Sequence, residues 1–445
     1  MIKDIRFGAK QTIALGFAAI IITGALLLML PISNRGGTSI AFIDALFTAA
    51  SATCVTGLVV FDTWSQFTFF GQMVILILIQ IGGLGFMTIA ILFSMVLGKR
   101  IGLRERSYAM EAVSSMQISG VVRLVKHISV GTLFFELIGA TILSFKFYPI
   151  FGLGKGIWFG IFHSVSAFCN AGFDLMGTIE PYSSLTHFSS DTIINIVITS
   201  LIVIGGIGFI VWDDLFAQKL KFRKYKLHTK VVLSSTIILI IVSFLLFMIV
   251  ERNNILAGLP FGEKVLVSMF HSITPRTAGF NTIDTAALTE AGSFLTMILM
   301  FIGASPGSTA GGIKITTFVI LIMAVITYFR KYDDVNIFRR RISTNIVKRS
   351  FFSTSYYLLL IVLGTFVILV FQPLPIKDTI FEVFSAIGTV GLSTGITRDL
   401  SALSRIVIVI LMYSGRVGSL TIFMAVTEKK VIKKVRNPEE KVIIG

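Results

Sequence analysis

Acidic side chains are scarce in this chain: 23 Asp and Glu stand among 445 residues, against 39 Lys and Arg. Charge of either sign makes up only 14% of the sequence, while 54% is hydrophobic and the mean hydropathy is +0.88. So little charge cannot cover a water-exposed surface of this size, and the composition predicts a polytopic membrane protein. Cysteine is nearly missing too. Only Cys54 and Cys169 are present, too few for a disulfide framework. They fall at the same place in two related segments, so one bridge is conceivable, but two small buried hydrophobes are the better reading. No polar segment exceeds about 20–30 residues, below any self-folding size, and no separate soluble domain is expected.

Catalytic and nucleotide-binding patterns are lacking as well. There is no H-E-x-x-H and no clustered metal-ligand spacing. Gly303-Ala304-Ser305-Pro306-Gly307 matches the G-x-S-x-G elbow in form, but Pro306 lacks the N–H that an oxyanion hole needs after the serine. His163 and His271, the bases Ser305 would require, belong to distant outer segments. Gly307 to Lys314 narrowly misses a phosphate loop, because Ile313 separates Gly312 from Lys314. The expectation is a protein that is not an enzyme and carries no organic cofactor.

What is present is a pattern repeated four times. Phe47–Gly57 reads FTAASATCVTG, Phe162–Gly172 FHSVSAFCNAG, Met269–Gly279 MFHSITPRTAG and Phe381–Gly391 FEVFSAIGTVG. Each follows one long apolar run and precedes another. About ten helical residues cover roughly 15 Å, half of a hydrocarbon core, so these segments cannot span alone. They read as half-helices breaking into extended loops. The predicted fold is an all-α membrane protein of four tandem helix–pore-loop–helix repeats, eight transmembrane helices around a pseudo-four-fold pore.

The repeats are expected at 1–100, 101–220, 221–335 and 336–445. Repeat one spans Gln11–Leu30, dips at Ile40–Thr53 and returns over Phe70–Leu97. Gln11–Leu30 imitates a signal peptide, but it is too long and no cleavage site follows. Repeat two spans Ile128–Tyr148, dips at Ile157–Phe168 and returns over Asp191–Phe216. Repeat three spans Val231–Val250 and returns over Ser293–Phe329. Repeat four spans Phe352–Phe371, dips at Ile376–Ile387 and returns over Leu403–Val426. The basic residues follow this plan: 28 of the 39 fall in five segments assigned to the inside, before residue 11 and at 99–126, 219–230, 330–349 and 429–441, which include the basic runs Lys99–Arg104, Lys219–Lys224 and the tail Lys429–Lys434. That bias puts both termini in the cytoplasm of a cell-membrane protein and argues against nucleic acid as partner. The inner basic loops offer a face for an acidic ring or anionic lipids. Outer acids such as Asp44, Asp62, Asp174, Asp284 and Asp399 make the other face mildly cation-attracting.

A half-helix dipping inward aims its partly negative C-terminus at the membrane centre, and the loop then climbs back with carbonyls toward the axis. The lining stretches are Cys54-Val55-Thr56-Gly57, Cys169-Asn170-Ala171-Gly172, Arg276-Thr277-Ala278-Gly279 and Gly388-Thr389-Val390-Gly391. Four such stretches can replace the hydration shell of a cation with backbone oxygens, without any side-chain metal site. Arg276 should turn from the axis toward Asp284 or a neighbouring carboxylate.

The returning helices echo one another. Gly82-Gly83-Leu84-Gly85-Phe86 and Gly205-Gly206-Ile207-Gly208-Phe209 match closely, and close helix packing suffices to explain them. Repeat three departs at Gly303, Ala304, Ser305, Pro306, Gly307, Ser308, Thr309, Ala310, Gly311 and Gly312, where glycines and a proline predict an intramembrane loop rather than a kinked helix. Repeat four carries Arg416 at the matching place. An unpaired charge there costs at least about 3 kcal/mol, so Arg416 should face a water-filled cavity or pair with Glu136 or Asp213. Beside a movable loop it would form a gate. Lys314 is similarly placed but can snorkel or bond loop carbonyls.

With these features in place, the whole chain resembles the Trk/Ktr/HKT superfamily of potassium transporters, most of all the membrane subunit of the bacterial Ktr type. The resemblance rests on Gly57, Gly172, Gly279 and Gly391, on the interruption at 303–312 and on Arg416. It implies K+ as the substrate, since glycine at all four filter positions goes with potassium and serine at the first with sodium-selective plant members. It also implies a homodimer with one pore per subunit, a cytosolic ring of nucleotide-binding RCK subunits acting on the intramembrane loop, and stimulation by Na+. The alternative, a secondary carrier for another cation or small solute, would call for inverted repeats, whereas these four keep one orientation.

Overall fold

The computed structural model describes residues 8–97, 101–112, 120–219 and 221–418, together with 421, 438 and 440. The expected tail Lys429–Lys434 and the loop residues Lys99 and Arg100 lie outside the described residues. The helices used below are α1 (Ala9–Met29), α2 (Phe42–Thr53), α3 (Phe69–Leu84), α4 (Phe86–Val96), α5 (Val121–Phe151), α6 (Leu153–Phe168), α7 (Thr192–Gly206), α8 (Phe209–Gln218), α9 (Leu227–Val250), α10 (Phe261–Ile273), α11 (Glu290–Phe301), α12 (Ile315–Phe329), α13 (Thr344–Phe371), α14 (Ile376–Gly388) and α15 (Ala402–Val417).

Burial is turned inside out relative to a water-soluble bundle. The four long helices α1, α5, α9 and α13 bury only 22–33% of their apolar windows, leaving Leu, Ile and Phe facing outward. Their middle stretches are mainly apolar on all sides, as lipid-facing helices require, with cations gathered near the helix ends, such as Arg123 and Lys126 on α5 and Lys348 and Arg349 on α13. The short helices α2, α6, α10 and α14 sit at the centre, each against the long helix that precedes it. Their inner faces carry small or hydroxyl residues, such as Ser51, Ser166, Ser272 and Ser385, all fully buried. Such residues are tolerated at this depth only with partners: the loops supply them for Ser51, Ser166 and Ser385, and Ser272 donates to Met269 O in its own helix.

Two returning runs read from the sequence as single spans are broken. Between α3 and α4 the axis turns by 95°, and between α7 and α8 by 93°. The hinges are Gly85 (φ +80°) and Gly208 (φ +94°), a left-handed conformation that side chains disfavour. Those glycines therefore do more than allow close packing. In repeat three the predicted interruption is an irregular loop between α11 and α12, closed at its neck by a bridge from Ile302 to Ile313. Among the described residues, four helices are long and apolar enough to cross a membrane, or six if each bent pair counts as one span. One minute hairpin, Asn336–Ile337 with Arg340–Arg341, departs from the all-helical expectation.

Candidate functional site

The four loop glycines meet. A Cβ built on Gly57 would lie 3.2 Å from Gly172 Cα, one on Gly172 2.9 Å from Gly279 Cα, one on Gly279 3.2 Å from Gly391 Cα, and one on Gly391 2.9 Å from Gly57 Cα. The ring closes in chain order. Each such Cβ would also run into the carbonyl just before the next glycine, so the oxygens of Thr56, Ala171, Ala278 and Val390 stand in one tier. All four glycines have positive φ, between +71° and +94°. Two residues earlier, Val55, Asn170, Thr277 and Thr389 are left-handed as well, with φ between +50° and +70°. Alternating handedness turns successive carbonyls to the same side of the chain.

Local hydrogen bonds hold this conformation. In three loops the residue before the glycine donates its N–H five residues back: Thr56 to Ser51, Ala171 to Ser166 and Val390 to Ser385, each at 2.8 Å. In the third the bond is one residue shorter, Ala278 to Thr274 at 3.0 Å, next to Pro275. The Ser51 and Ser385 hydroxyls accept from the N–H of Gly57 (3.1 Å) and Gly391 (3.0 Å). The hydroxyls of Ser166 and Thr274 donate to the carbonyls of Phe173 and Phe280. The fully buried hydroxyls of Thr53, Thr56 and Thr389 have no partner among the described residues.

A cavity of about 260 Å³ adjoins the ring, lined by the four glycines together with Asp62, Asp174, Asp284 and Arg398. Asp62 accepts from the N–H groups of Ser65 (2.8 Å) and Tyr182 (3.2 Å). Burial, and then the Asp62 carboxylate, push Asp174 up to about 7, although the Met176 N–H and the Ser184 hydroxyl favour its ionised form. Arg398 stacks on Tyr182, its guanidinium carbon 4.5 Å from the ring centre.

The loop 303–312 is tied to three neighbouring elements. Ser305 N–H donates to Gly206 O (3.0 Å), Phe209 N–H to Gly307 O (2.8 Å) and Gly312 N–H to Gly415 O (3.3 Å). The Thr309 hydroxyl reaches the Phe168 carbonyl (3.2 Å) and the Asn170 side-chain amide (3.3 Å), tying the loop to the second repeated stretch. A cavity of about 160 Å³ lies on the inner side, lined by Lys314, Arg416, Gly83 and Gly307 among others.

Arg416 is bonded to carbonyls rather than carboxylates. Its guanidinium donates to Thr309 O in the loop and to Gly82 O and Gly83 O (the latter at 3.0 Å) at the end of α3. The alternative pairing with Glu136 or Asp213 is not formed: Asp213 meets His127 at 3.5 Å, and Glu136 accepts from Gln80 at 3.3 Å. Lys314 takes the loop-carbonyl option, donating to Ala310 O (2.8 Å) and Gly311 O (3.2 Å). The carboxylate expected for Arg276 is not its partner among the described residues. Its side chain is buried and donates to Thr236 Oγ1 at 3.5 Å, while Asp284 caps the Ala286 N–H. Cys54 and Cys169 are buried free thiols, as the small-hydrophobe reading expects.

The sequence reading missed Gly82 and Gly83 as acceptors for Arg416. The signal was there in the glycine echo, but packing explained it equally well. These glycines serve close approach too: the Cα atoms of Gly82, Gly205 and Gly415 face the terminal carbonyls of the short helices at Thr53, Phe168 and Ile387. A side chain at any of them would block those carbonyls.

Comparison with known proteins agrees with this architecture. The family model TrkH, described as a cation transport protein, matches residues 10–433. The chain is 43% identical to the Ktr system potassium uptake protein B of Bacillus subtilis, over 100% of this chain and 98% of that protein. It is 43% identical to the potassium/sodium uptake protein NtpJ of Enterococcus hirae, over 99% and 98%. In fold it is similar to the crystal structure of the potassium transporter TrkH from Vibrio parahaemolyticus, with a TM-score of 0.74 at 19% identity, covering 95% of this chain and 86% of that one. With the family pattern matched along nearly its whole length, the chain belongs to the TrkH family of cation transport proteins.

Proposed function

We propose that this chain is the ion-conducting membrane subunit of a potassium uptake system. The observation that carries the reading is the closed ring of Gly57, Gly172, Gly279 and Gly391 with its tier of carbonyl oxygens. Backbone oxygens around one axis can replace the water around a monovalent cation at little cost, because the loops are already held in that shape. Glycine at all four places suits K+, and the names of the two bacterial relatives support it. No chemistry is performed on the ion, so the protein acts as a transporter rather than an enzyme.

The loop 303–312 and Arg416 form the gate in this reading. With Arg416 bonded to Thr309, a guanidinium stands on the inner side of the ring, and a cation must pass it. Opening requires the loop to leave Arg416 or to carry it aside. The four repeats, their eight spans, cytoplasmic termini, homodimeric assembly and a cytosolic nucleotide-binding ring belong to the same proposal. Stimulation by Na+ is included because NtpJ is named for both ions.

Production of the chain with its cytosolic partner in cells lacking potassium uptake is expected to restore growth at low external K+. Absence of rescue, with the chain present in the membrane, overturns the assignment. Acidity outside should matter as well. Asp174 sits near 7, so below that pH it is neutral and draws fewer cations to the cavity beside the ring. The apparent KM for K+ is expected to rise a few-fold as external pH falls from about 8 to 6. Asp174→Asn should show the high KM throughout and lose the pH dependence; a wild-type pH profile in that variant refutes the role.

A further inference from the structure

The breaks at Gly85 and Gly208 leave a second feature, on the lipid-facing surface. Since α4 and α8 turn away by 95° and 93°, the inner end of α5 is flanked by both, and an apolar groove of about 880 Å³ opens between them. Val130, Phe134 and Phe216 line it and are 58–72% exposed. Its floor is Gly131 and Phe135, with the buried Trp212 packed directly behind them: a Cβ on Gly131 would stand 2.9 Å from the indole, so glycine at 131 admits the ring. Arg123, Lys126 and His127 line the groove along the same helix.

Depth gives these residues a meaning. Helix α5 has 31 residues, about 46 Å at 1.5 Å each, against roughly 30 Å of hydrocarbon. Tyr148 near its outer end suits the membrane interface. About twenty residues inward from there, the opposite interface falls near Ile128. Arg123, Lys126 and His127 then stand at headgroup level, with Val130 and Phe134 beside the acyl chains. His127 is occupied with Asp213 at 3.5 Å, but Arg123 and Lys126 form no ion pair among the described residues.

We propose that this groove is a binding site for an anionic phospholipid, its phosphate held by Arg123 and Lys126 and an acyl chain laid over Phe134, Phe216 and Gly131, close above the buried Trp212. Two unpaired cations above an apolar slot complement one anionic headgroup carrying hydrocarbon. The proposal deepens the expectation that the basic inner face meets anionic lipid and rests on the membrane reading of α5, not on the ion path.

Trp212 supplies the test, since Trp64 and Trp158 lie by the outer segments and can be replaced. The Trp64→Phe, Trp158→Phe protein is reconstituted in phosphatidylcholine vesicles carrying brominated phosphatidylglycerol or brominated phosphatidylcholine. Brominated phosphatidylglycerol is expected to quench Trp212 with about three-fold or greater preference, and Arg123→Gln with Lys126→Gln should abolish the preference. Equal quenching by both lipids overturns the site, as does a preference that survives both substitutions. Quenching by neither lipid also overturns it, and would mean that protein, such as a second copy of this chain, covers the groove. The readout is fluorescence, so a failure leaves the potassium assignment standing, and a failure of rescue leaves this site standing.

Discussion

Gly279→Ser is expected to lower the apparent affinity for K+ about tenfold and to erode the preference for K+ over Na+. Gly279 has φ +79°, and an added Cβ would lie 2.5 Å from the Val390 carbonyl oxygen and 3.2 Å from Gly172 Cα and Gly391 Cα. A left-handed conformation costs a side chain about 1–2 kcal/mol, on the order of a factor of ten in an equilibrium. Backbone on both sides gives the new atom no flexible neighbour to displace. The loop has to shift, and the Val390 oxygen leaves the tier. A serine at Gly262, where nothing stands within 4 Å, provides the control and should leave uptake unchanged. Potassium flux with sodium competition measures the effect; unaltered competition in Gly279→Ser would count decisively against the ring as the selective element.

Arg416→Ala is expected to raise flux and weaken its control. The substitution removes the donors to Thr309 O on the loop and to Gly82 O and Gly83 O on α3, leaving the loop less firmly tied to the inner side of the ring. Bonds from a charged donor are worth about 1.5–3 kcal/mol. If the closed state loses about 2 kcal/mol relative to the open one, their ratio shifts roughly 30-fold. Removing the positive charge also lowers the electrostatic barrier to a cation. Arg416→Lys should fall between, because one ammonium cannot fork toward both the loop and α3 as a guanidinium does. Deleting residues 304–312 should raise flux in the same direction. Flux measured in vesicles with and without the regulatory partner decides the matter: wild-type flux under normal control in Arg416→Ala refutes the gate.

The four loop glycines were legible in the sequence because their ingredients are local. A short apolar helix, a hydroxyl or small residue near its end and a glycine are all read within eleven residues, and four occurrences reinforce one another. Lys314 was less determinate, since snorkelling and bonding to loop carbonyls are both open to a lysine beside a glycine-rich loop. The partner of Arg276 was misread for a physical reason: Asp284 lies only eight residues away, but its carboxylate caps Ala286 while the buried arginine donates to Thr236. Nearness in sequence carried no information about which side of the short helix the guanidinium would take.

By itself the sequence determined the membrane setting, the fourfold recurrence, the loop glycines and the interruption at 303–312, because each follows from hydropathy or backbone freedom over a few residues. Only the tertiary structure decided that the glycines close into a ring in chain order and that Gly85 and Gly208 turn their helices by 95° and 93°. It also decided that Arg416 reaches two sets of carbonyls, one 107 and the other 333 and 334 residues earlier in the chain. Such partners are chosen by how separate helices meet, and no short stretch of chain encodes that meeting.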